Sequence, residues 1–460
     1  MRLYMADYCL VSEGWFWSAR GGARVRGEFT AETGRNAEVR LAGRVADDPR
    51  VTVVHTTTGT LITSVSGDPA KEIAAFAPTD LHGQLDSGEL VTLLSAQNHG
   101  PLRPQYVAGI LLTGAHVSGG QLYSAVRFRI DDPRWTAHLG DGENHIVPGD
   151  RSVLRADAPE AGQDEGMWLV YESAEPCSIR DLDSRVLAGC RALARLALDR
   201  PLAVRTIEVR ISQDGGWLPL HSKAYSAPVS GYGESLLPPA ELTVERFAEW
   251  IALNGTLDGL ASAVDGLGEG TVQSQVLVGT SLVEGLHRRL PYKQSQFPAA
   301  SRNGRSHVKK AAREAAAAQA TNEKGMDPAL VCTAVRDAVC HFEDVGYRTR
   351  AKDITSQVTS AVPELAESVP DLAGKLMAAR NDIAHHLVLN EEKEPLADRI
   401  DRWVAVSYVT PWLLRLLLLL HAGIEPDTLH TACLASARFG YTRANITAIA
   451  RDLGWLPAPE

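Results

Sequence analysis

The six cysteines of this chain, Cys9, Cys177, Cys190, Cys332, Cys340 and Cys433, are scattered, and no CxxC pair occurs. Such spacing argues against a disulfide framework or a structural zinc module, and a reducing cytoplasm is the expected compartment. Positive charge is also short. The formal net charge of −10 argues against wholesale coating of nucleic acid and leaves room for a local basic patch only. No internal repeat is visible. The N-terminal "MRLYMADYCLVSEG" carries Asp7 and Glu13 and lacks the apolar core of a signal peptide. One membrane-like run begins at Trp412, but Pro411 precedes it, Arg415 interrupts it, and His421 and Gly423 end it. A span wants about 18 uninterrupted apolar residues. The run is therefore expected to be a buried helix or an oligomer seam, with no membrane association.

What is present is ordinary for a globular chain. Its 460 residues are 45% hydrophobic and 22% charged, enough for about two to four domains and at least one sizeable core. The character changes near residue 240. Before that point, short β-rich runs such as "AEVRLAG", "VTVVHTTTGT", "LVTLLSA", "SAVRFRI" and "RTIEVRIS" alternate with Gly, Pro, Asp and Asn clusters. In "AEVRLAG", Val39 and Leu41 share one face. Trp15, Phe16 and Trp17 read as core or sheet-face packing. One helix interrupts the strands, with Val186, Cys190, Leu193 and Ala197 at helical spacing. Residues 219–243 are rich in Pro, Gly and Ser and read as a linker.

Beyond the linker the helical period takes over. Val272, Val276, Val283, Leu286 and Leu290 form one stripe. Asp327 and Pro328 open a further helix, which Gly346 is expected to close. Two more helices are expected over about 371–389 and 396–421, and Ala-rich 311–320 extends another. The fold expected is α+β: a β-rich, mostly antiparallel domain over 1–218, then an all-α bundle over 244–460.

One segment of that bundle carries chemistry. In "AARNDIAHHL", residues 378–387, Leu376, Ala379, Ile383 and Leu387 define a core stripe at about 100° per residue. Arg380 lies on the flank of the stripe and His385 nearly opposite it, about 140° from Arg380, with Asn381 about 40° from His385. Arg380 and His385 therefore do not stack as neighbours on a straight helix. Joint action requires a distorted helix or a second chain, and a two-fold copy would bring the same residues in twice.

The residue types suit metal-free RNA cleavage. Histidine exchanges protons near neutrality, arginine presents a planar fork to phosphate oxygens, and an asparagine amide orients a phosphate or ribose hydroxyl. From spacing alone the same residues also fit a solvated helix face. A zinc site fits less well, because adjacent His385 and His386 point to different sides and no carboxylate has HExxH spacing.

"RNDIAH", Arg380 to His385, resembles the motif of HEPN domains, an arginine and a histidine separated by four to six residues. "GWFW", "VRGEFT", "LHGQLDSGELVTLLSAQ", "GILLTGAHV", "VRFRIDDPRWTAHL" and "RALARLALDRPLAV" resemble, in order, the ApeA N-terminal domain. "SLVEGLHRRLPY" resembles the helix that opens its HEPN domain. The resemblance covers nearly the whole chain. It implies an anti-phage protein of the abortive-infection type, with a cofactor-free HEPN ribonuclease acting on RNA, tRNA among the substrates. It further implies an N-terminal domain that senses or restrains, with a phage-encoded trigger as its input, and a homodimer or higher oligomer. Arg380 and His385 correspond to the catalytic pair, Asn381 to the polar residue after the arginine, and Glu284 to an acidic residue of an early helix. His386 also satisfies the motif. A non-catalytic HEPN protein that binds RNA or a partner stays open beside the nuclease.

From 288 to 313, Arg288, Arg289, Lys293, Arg302, Arg305, Lys309, Lys310 and Arg313 occur without an intervening Asp or Glu. In an acidic chain this stretch is the candidate grip on a phosphate backbone. The polar "KQSQFPAASRNGRS" suits a mobile loop that orders on RNA, and a solvated loop is the alternative.

Overall fold

In the computed structural model, the residues described are 9–45, 51–55, 61–99, 104–130, 135–159, 166–199, 202–225, 235–385 and 395–457. Strands β1 (Cys9–Ser18), β2 (Val25–Glu32) and β3 (Ala37–Leu41) form an antiparallel meander. Strands β4 (Val51–His55) and β5 (Leu61–Val65) pair with each other, and a short helix, α1 (Pro69–Ala75), follows. Strands β6 (Thr79–Leu85), β7 (Leu90–Asn98) and β8 (Gln105–Ala108) then return to the meander. β6 pairs with β1 and β7, while β8 pairs with β3 and with the end of β7. The ring β1-β2-β3-β8-β7-β6 is therefore closed, a six-stranded barrel.

Closure depends on a bend in β7. Its first half, Val91 to Leu94, pairs with β9 (Ile110–Thr113), whereas Gln97 and Asn98 pair with β8. Between them Ser95 has φ 51°, a conformation costly for a residue with a Cβ. The Asp80 carboxylate holds it by accepting from the Ser95 amide at 2.8 Å. Alternation along the strands fills the interior: Phe16, Phe29, Val39, Leu81, Val91 and Leu93 are fully buried there. Phe16 fits because position 83 is glycine. A Cβ at Gly83 would meet Phe16 Cε1 at 2.4 Å and Val91 Cγ2 at 2.7 Å. Trp15, its neighbour, points outward and is 47% exposed. Trp17 is half-buried, edge-on to His116 at 5.0 Å, with the Arg24 guanidinium over its ring.

Beyond β9 the sheet continues through β10 (Leu122–Ile130), β11 (Asn144–Ile146), β12 (Val153–Asp157), β13 (Trp168–Ser178), β14 (Val204–Arg210) and β15 (Leu218–Ser222), in the order β9-β15-β14-β10-β13-β12-β11. Every pairing is antiparallel. β15 lies inside the sheet, so the segment 219–243 begins as a strand rather than as a linker.

A capping box on Ser178 and Asp181 starts α2 (Ile179–Asp181), which runs through a π-helical turn, Leu182–Leu187, into α3 (Ala188–Leu198). Val186, Cys190, Leu193 and Ala197 are buried as their spacing predicts. α4 (Val244–Leu257) packs on this segment. Its Trp250 indole donates to Gly189 O at 2.7 Å, and its Asn254 amide donates to Arg185 O at 2.9 Å. The second of these bonds serves a carbonyl of the π turn. The chain accordingly divides after Ser262, and α4, expected at the start of the helical domain, belongs to the β-rich unit.

The helical unit follows α5 (Leu260–Asp265), which spans the division, and contains α6 (Val272–Arg289), α7 (Arg302–Ala320), α8 (Pro328–Ala338), α9 (Tyr347–Ala361), α10 (Glu364–Ser368), α11 (Leu372–His385), α12 (Leu396–His421), α13 (Pro426–Ala435) and α14 (Ala437–Asp452). α12 is long and apolar enough to cross a membrane by length and composition. Within this unit most of it is buried, against α6, α9, α11 and α14. α6 comes close to it where Gly279 faces Thr410; a Cβ at Gly279 would meet Thr410 Cγ2 at 2.8 Å. Asp327 caps α8 as expected, accepting from the Ala329 amide at 2.8 Å. That helix ends at Ala338, and Gly346 is the N-cap of α9 instead of a terminator. The α+β order, β-rich and then helical, is the architecture the chain adopts.

Gly83→Ala is expected to destabilise the β-rich unit by about 1–3 kcal/mol, because Phe16 must leave its rotamer or the barrel must widen. Denaturant unfolding followed by tryptophan fluorescence reads this. An unchanged midpoint would show that the barrel interior yields at no cost.

Candidate functional site

Three helices of the helical unit converge on Arg380. α11 carries it beside the core stripe, where Leu376 and Ala379 are fully buried and Ile383 nearly so. α6 supplies Glu284, whose Oε2 accepts from Arg380 Nη2 at 3.0 Å. α9 supplies Tyr347, whose ring lies under the guanidinium with Cζ 4.7 Å from the ring centroid. The Arg380 side chain remains 30% exposed. Asn381 is half-buried one residue further along α11. His385 is the last residue of α11. Its side chain, like His386 and Leu387, lies outside the described residues. Asp382, on the neighbouring flank, is ion-paired with Arg402 of α12.

Glu284 is shared. Its other oxygen accepts from Arg288 Nη2, one turn along α6, at 2.8 Å. Burial works to raise the Glu284 carboxyl. The hydrogen bond from Arg288 and the charges of Arg380, Arg288 and Arg350 outweigh it and hold the group below the usual carboxylate range. Glu284 is thus an anion near neutrality. It anchors an arginine and is poorly suited to donate a proton. Burial raises the Tyr347 phenol far above its ordinary range, so this ring serves as a neutral surface.

Behind this cluster lies a buried polar node. His287 on α6 is fully buried. Its Nε2 sits 2.9 Å from Asp353 Oδ2, and its Nδ1 accepts from Arg350 Nη1 at 3.2 Å. Nδ1 accepts only when it carries no proton, so the ring is the neutral tautomer that donates from Nε2. Arg350 also donates to Gln294 Oε1 at 3.0 Å and to Val345 O at 2.8 Å. Tyr292 stacks on His287 with centroids 4.6 Å apart. Arg350 and Tyr347 occupy the first turn of α9. The node therefore fixes where Tyr347 stands relative to α6.

The remaining basic residues form a second group. Glu343 pairs with Arg305 at 2.5 Å and with Lys309 at 3.0 Å. Lys310 is 3.7 Å from Glu314, both exposed. Lys293, Arg302 and Arg289 are exposed, and Arg313 donates to Lys309 O. The stretch is not an irregular loop throughout. Ser301 caps α7, and residues 294–296 bond to 343–345. An acidic residue absent from the stretch itself thus reaches it through the fold, and of the expected RNA contacts Arg288, Arg305, Lys309 and Lys310 each already face a carboxylate.

The β-rich unit holds a polar cavity of about 660 Å³ lined in part by Asp150, Ser152, Tyr171, Cys177 and Arg185. Asp150 is occupied: Arg185 pairs with it, and the Ser152 amide donates to it at 2.8 Å. Burial pushes the Cys177 thiol up, away from the reactive thiolate. Among the described residues no group of three or more His, Cys, Asp or Glu side chains is placed to hold a metal ion.

Comparison with protein-family models, with curated proteins and with solved structures finds no match for this chain.

Tyr347, His287, Arg350 and Asp353 escape a reading along the chain. Tyr347 sits 33 positions before Arg380, and the one available signal is the Gly346–Tyr347 helix start, which along the sequence looks like the end of the helix before.

Burial depresses the affinity of His287 for protons, and His421 is depressed by burial as well. The unfolded chain, with histidines near 6.5, then binds more protons than the folded one, so stability present above about pH 6.5 is lost as pH falls. The melting temperature is expected to drop between about pH 7.5 and 5.5, less steeply in His287→Gln, which keeps a donor to Asp353. Equal slopes in both proteins would remove His287 from the account.

Proposed function

We propose that the helical unit is a metal-independent HEPN-type endoribonuclease in an anti-phage protein, regulated by the β-rich unit. The observation that carries this reading is the Arg380 fork, held at one edge by Glu284 and on one face by Tyr347, its side chain part exposed, with His385 at the end of the same helix. A preset guanidinium stabilises charge that builds on a phosphoryl centre. In the reaction, a histidine accepts the ribose 2′-OH proton as that oxygen attacks the adjacent phosphorus. Arg380 holds the pentacoordinate centre, the bond from phosphorus to the 5′ oxygen breaks, and a second histidine protonates the leaving oxygen. The products are a 2′,3′-cyclic phosphate and a 5′-hydroxyl. DNA is inert because it lacks the attacking group. RNA, tRNA in particular, is the proposed substrate, the cytoplasm the proposed compartment, and a phage-encoded molecule the proposed trigger.

A second histidine comes from a second copy. On α6, Leu277 is 41% exposed and Val278 is 46% exposed. Leu277, Ser281, Glu284 and Arg288 follow one face of α6, which packs against α11. The exposed Leu277 and Val278, on the helix that carries Glu284, support a homodimer through the helical unit. The rival reading, a non-catalytic RNA- or partner-binding protein, draws on the ion pairs that already occupy Arg380, Arg305 and Lys309.

Purified protein incubated with total RNA separates the two. Arg380→Ala and His385→Ala are each expected to lower cleavage by about 100-fold or more while the fold is kept, His386→Ala less, and chelators should leave the rate unchanged. A fully active His385→Ala protein would end the assignment, and loss of cleavage in a chelator would point to a metal mechanism. Leu277→Asp with Val278→Asp is expected to turn dimer into monomer and to abolish cleavage together, read by light scattering and gel assay. A monomer at full activity would rule out a shared site.

A further inference from the structure

Arginine is a long side chain whose terminal plane rotates freely unless something holds it. In this fold Arg380 is held both at its edge and on its face. Glu284 fixes an edge of the guanidinium through Nη2 at 3.0 Å, and Tyr347 fixes its plane by lying 4.7 Å beneath it. An edge contact alone leaves the plane free to turn about the N–H···O axis. A ring contact alone leaves the fork free to spin upon the ring. The two together define one orientation, and the nitrogen that Glu284 does not use is aimed by default.

We propose that Tyr347 is a positioning residue for Arg380, a floor that sets the plane in which the guanidinium meets a phosphate of RNA. This deepens the ribonuclease reading and rests on it for the identity of the ligand. The ring itself is the working part. A cationic plane over an aromatic face is attracted by the ring quadrupole and keeps its N–H edge for an anion. The phenol is held neutral by burial and its hydroxyl has no hydrogen-bond partner within the described residues, so phenylalanine should serve as well as tyrosine. The floor is also rigidly mounted. Tyr347 begins α9, and Arg350, one turn on, is locked to His287 of α6, the helix that carries Glu284. Both holders of Arg380 thus belong to one braced pair of helices.

The test uses the full chain as wild type, Tyr347→Phe, Tyr347→Leu and Arg380→Lys, with two readouts. In cleavage of an RNA pool, Tyr347→Phe is expected to stay near wild type. Tyr347→Leu is expected to lose about 10- to 100-fold in kcat with little change in KM, since a misaimed group costs transition-state contact more than ground-state binding. In nitrogen-15 NMR of the arginine Nε–H groups, the Arg380 signal, identified by its absence in Arg380→Lys, should be shifted upfield by the ring. The shift should persist in Tyr347→Phe and vanish in Tyr347→Leu. A Tyr347→Leu enzyme as fast as wild type would overturn the proposal. So would a loss confined to KM, or a Tyr347→Phe enzyme as poor as Tyr347→Leu. If wild type cleaves no RNA, the ribonuclease reading fails, and the NMR arm still decides this one: an Arg380 signal indifferent to Tyr347→Leu overturns the positioning role, and a signal that moves only with Leu upholds it.

Discussion

The helical unit depends on a histidine that must stay uncharged. His287 is fully buried between a guanidinium and a carboxylate, and only its neutral form can accept from Arg350 while donating to Asp353. A bond of this kind contributes about 1 kcal/mol when made, but a buried polar group left without a partner costs more than that. The node therefore specifies geometry more than it adds stability. It locks α6 to the first turn of α9, and from that turn and from α6 come the two groups that hold Arg380. Satisfied polar networks in cores act in this way, as registers between elements that apolar packing alone would let slide.

The β-rich unit solves a different problem by a related device. A strand that leaves one partner for another must break its own ladder, and β7 does so at Ser95, in a backbone conformation that a side chain resists. Asp80 offsets the cost by taking the Ser95 amide, and its second oxygen takes the Gly119 amide at 2.7 Å. One carboxylate thereby stands at the point where the closed barrel passes into the open sheet. The π turn before α3 is handled likewise, with Asn254 supplying donors to carbonyls of that turn.

Periodicity makes most of the elements legible in the amino-acid sequence. The stripes Val276, Val283, Leu286 and Leu376, Ala379, Ile383 are buried, and α12 keeps the bounds that its apolar pattern implies. Two of the expectations that fail show the physical reason plainly. Pro and Gly near 219 signal a linker, yet Pro219 sits in β15 with its neighbours paired on both sides. Gly346 resembles a helix terminator, though a glycine at φ −67° serves as an N-cap equally well. Of the site, Arg380, Asn381 and Glu284 are legible because they lie in or near local motifs. Tyr347 and the His287 node are not, because their partners are 63 to 66 positions away or belong to helices that only packing brings near. The neutralisation of Arg305 and Lys309 by Glu343 is hidden for the same reason.

The burial of α12 has a bearing on how the chain is made. Exposed on its own, a helix this apolar would be taken for a membrane segment or would stick to its like. Its partners α6, α9 and α11 all precede it in the chain. As the polypeptide leaves the ribosome, where earlier parts fold first, the groove that receives α12 is synthesised before the helix itself. Among the described residues α13 and α14 come after it, and both pack on it. The order of translation thus shields the segment of the chain that is most at risk in water.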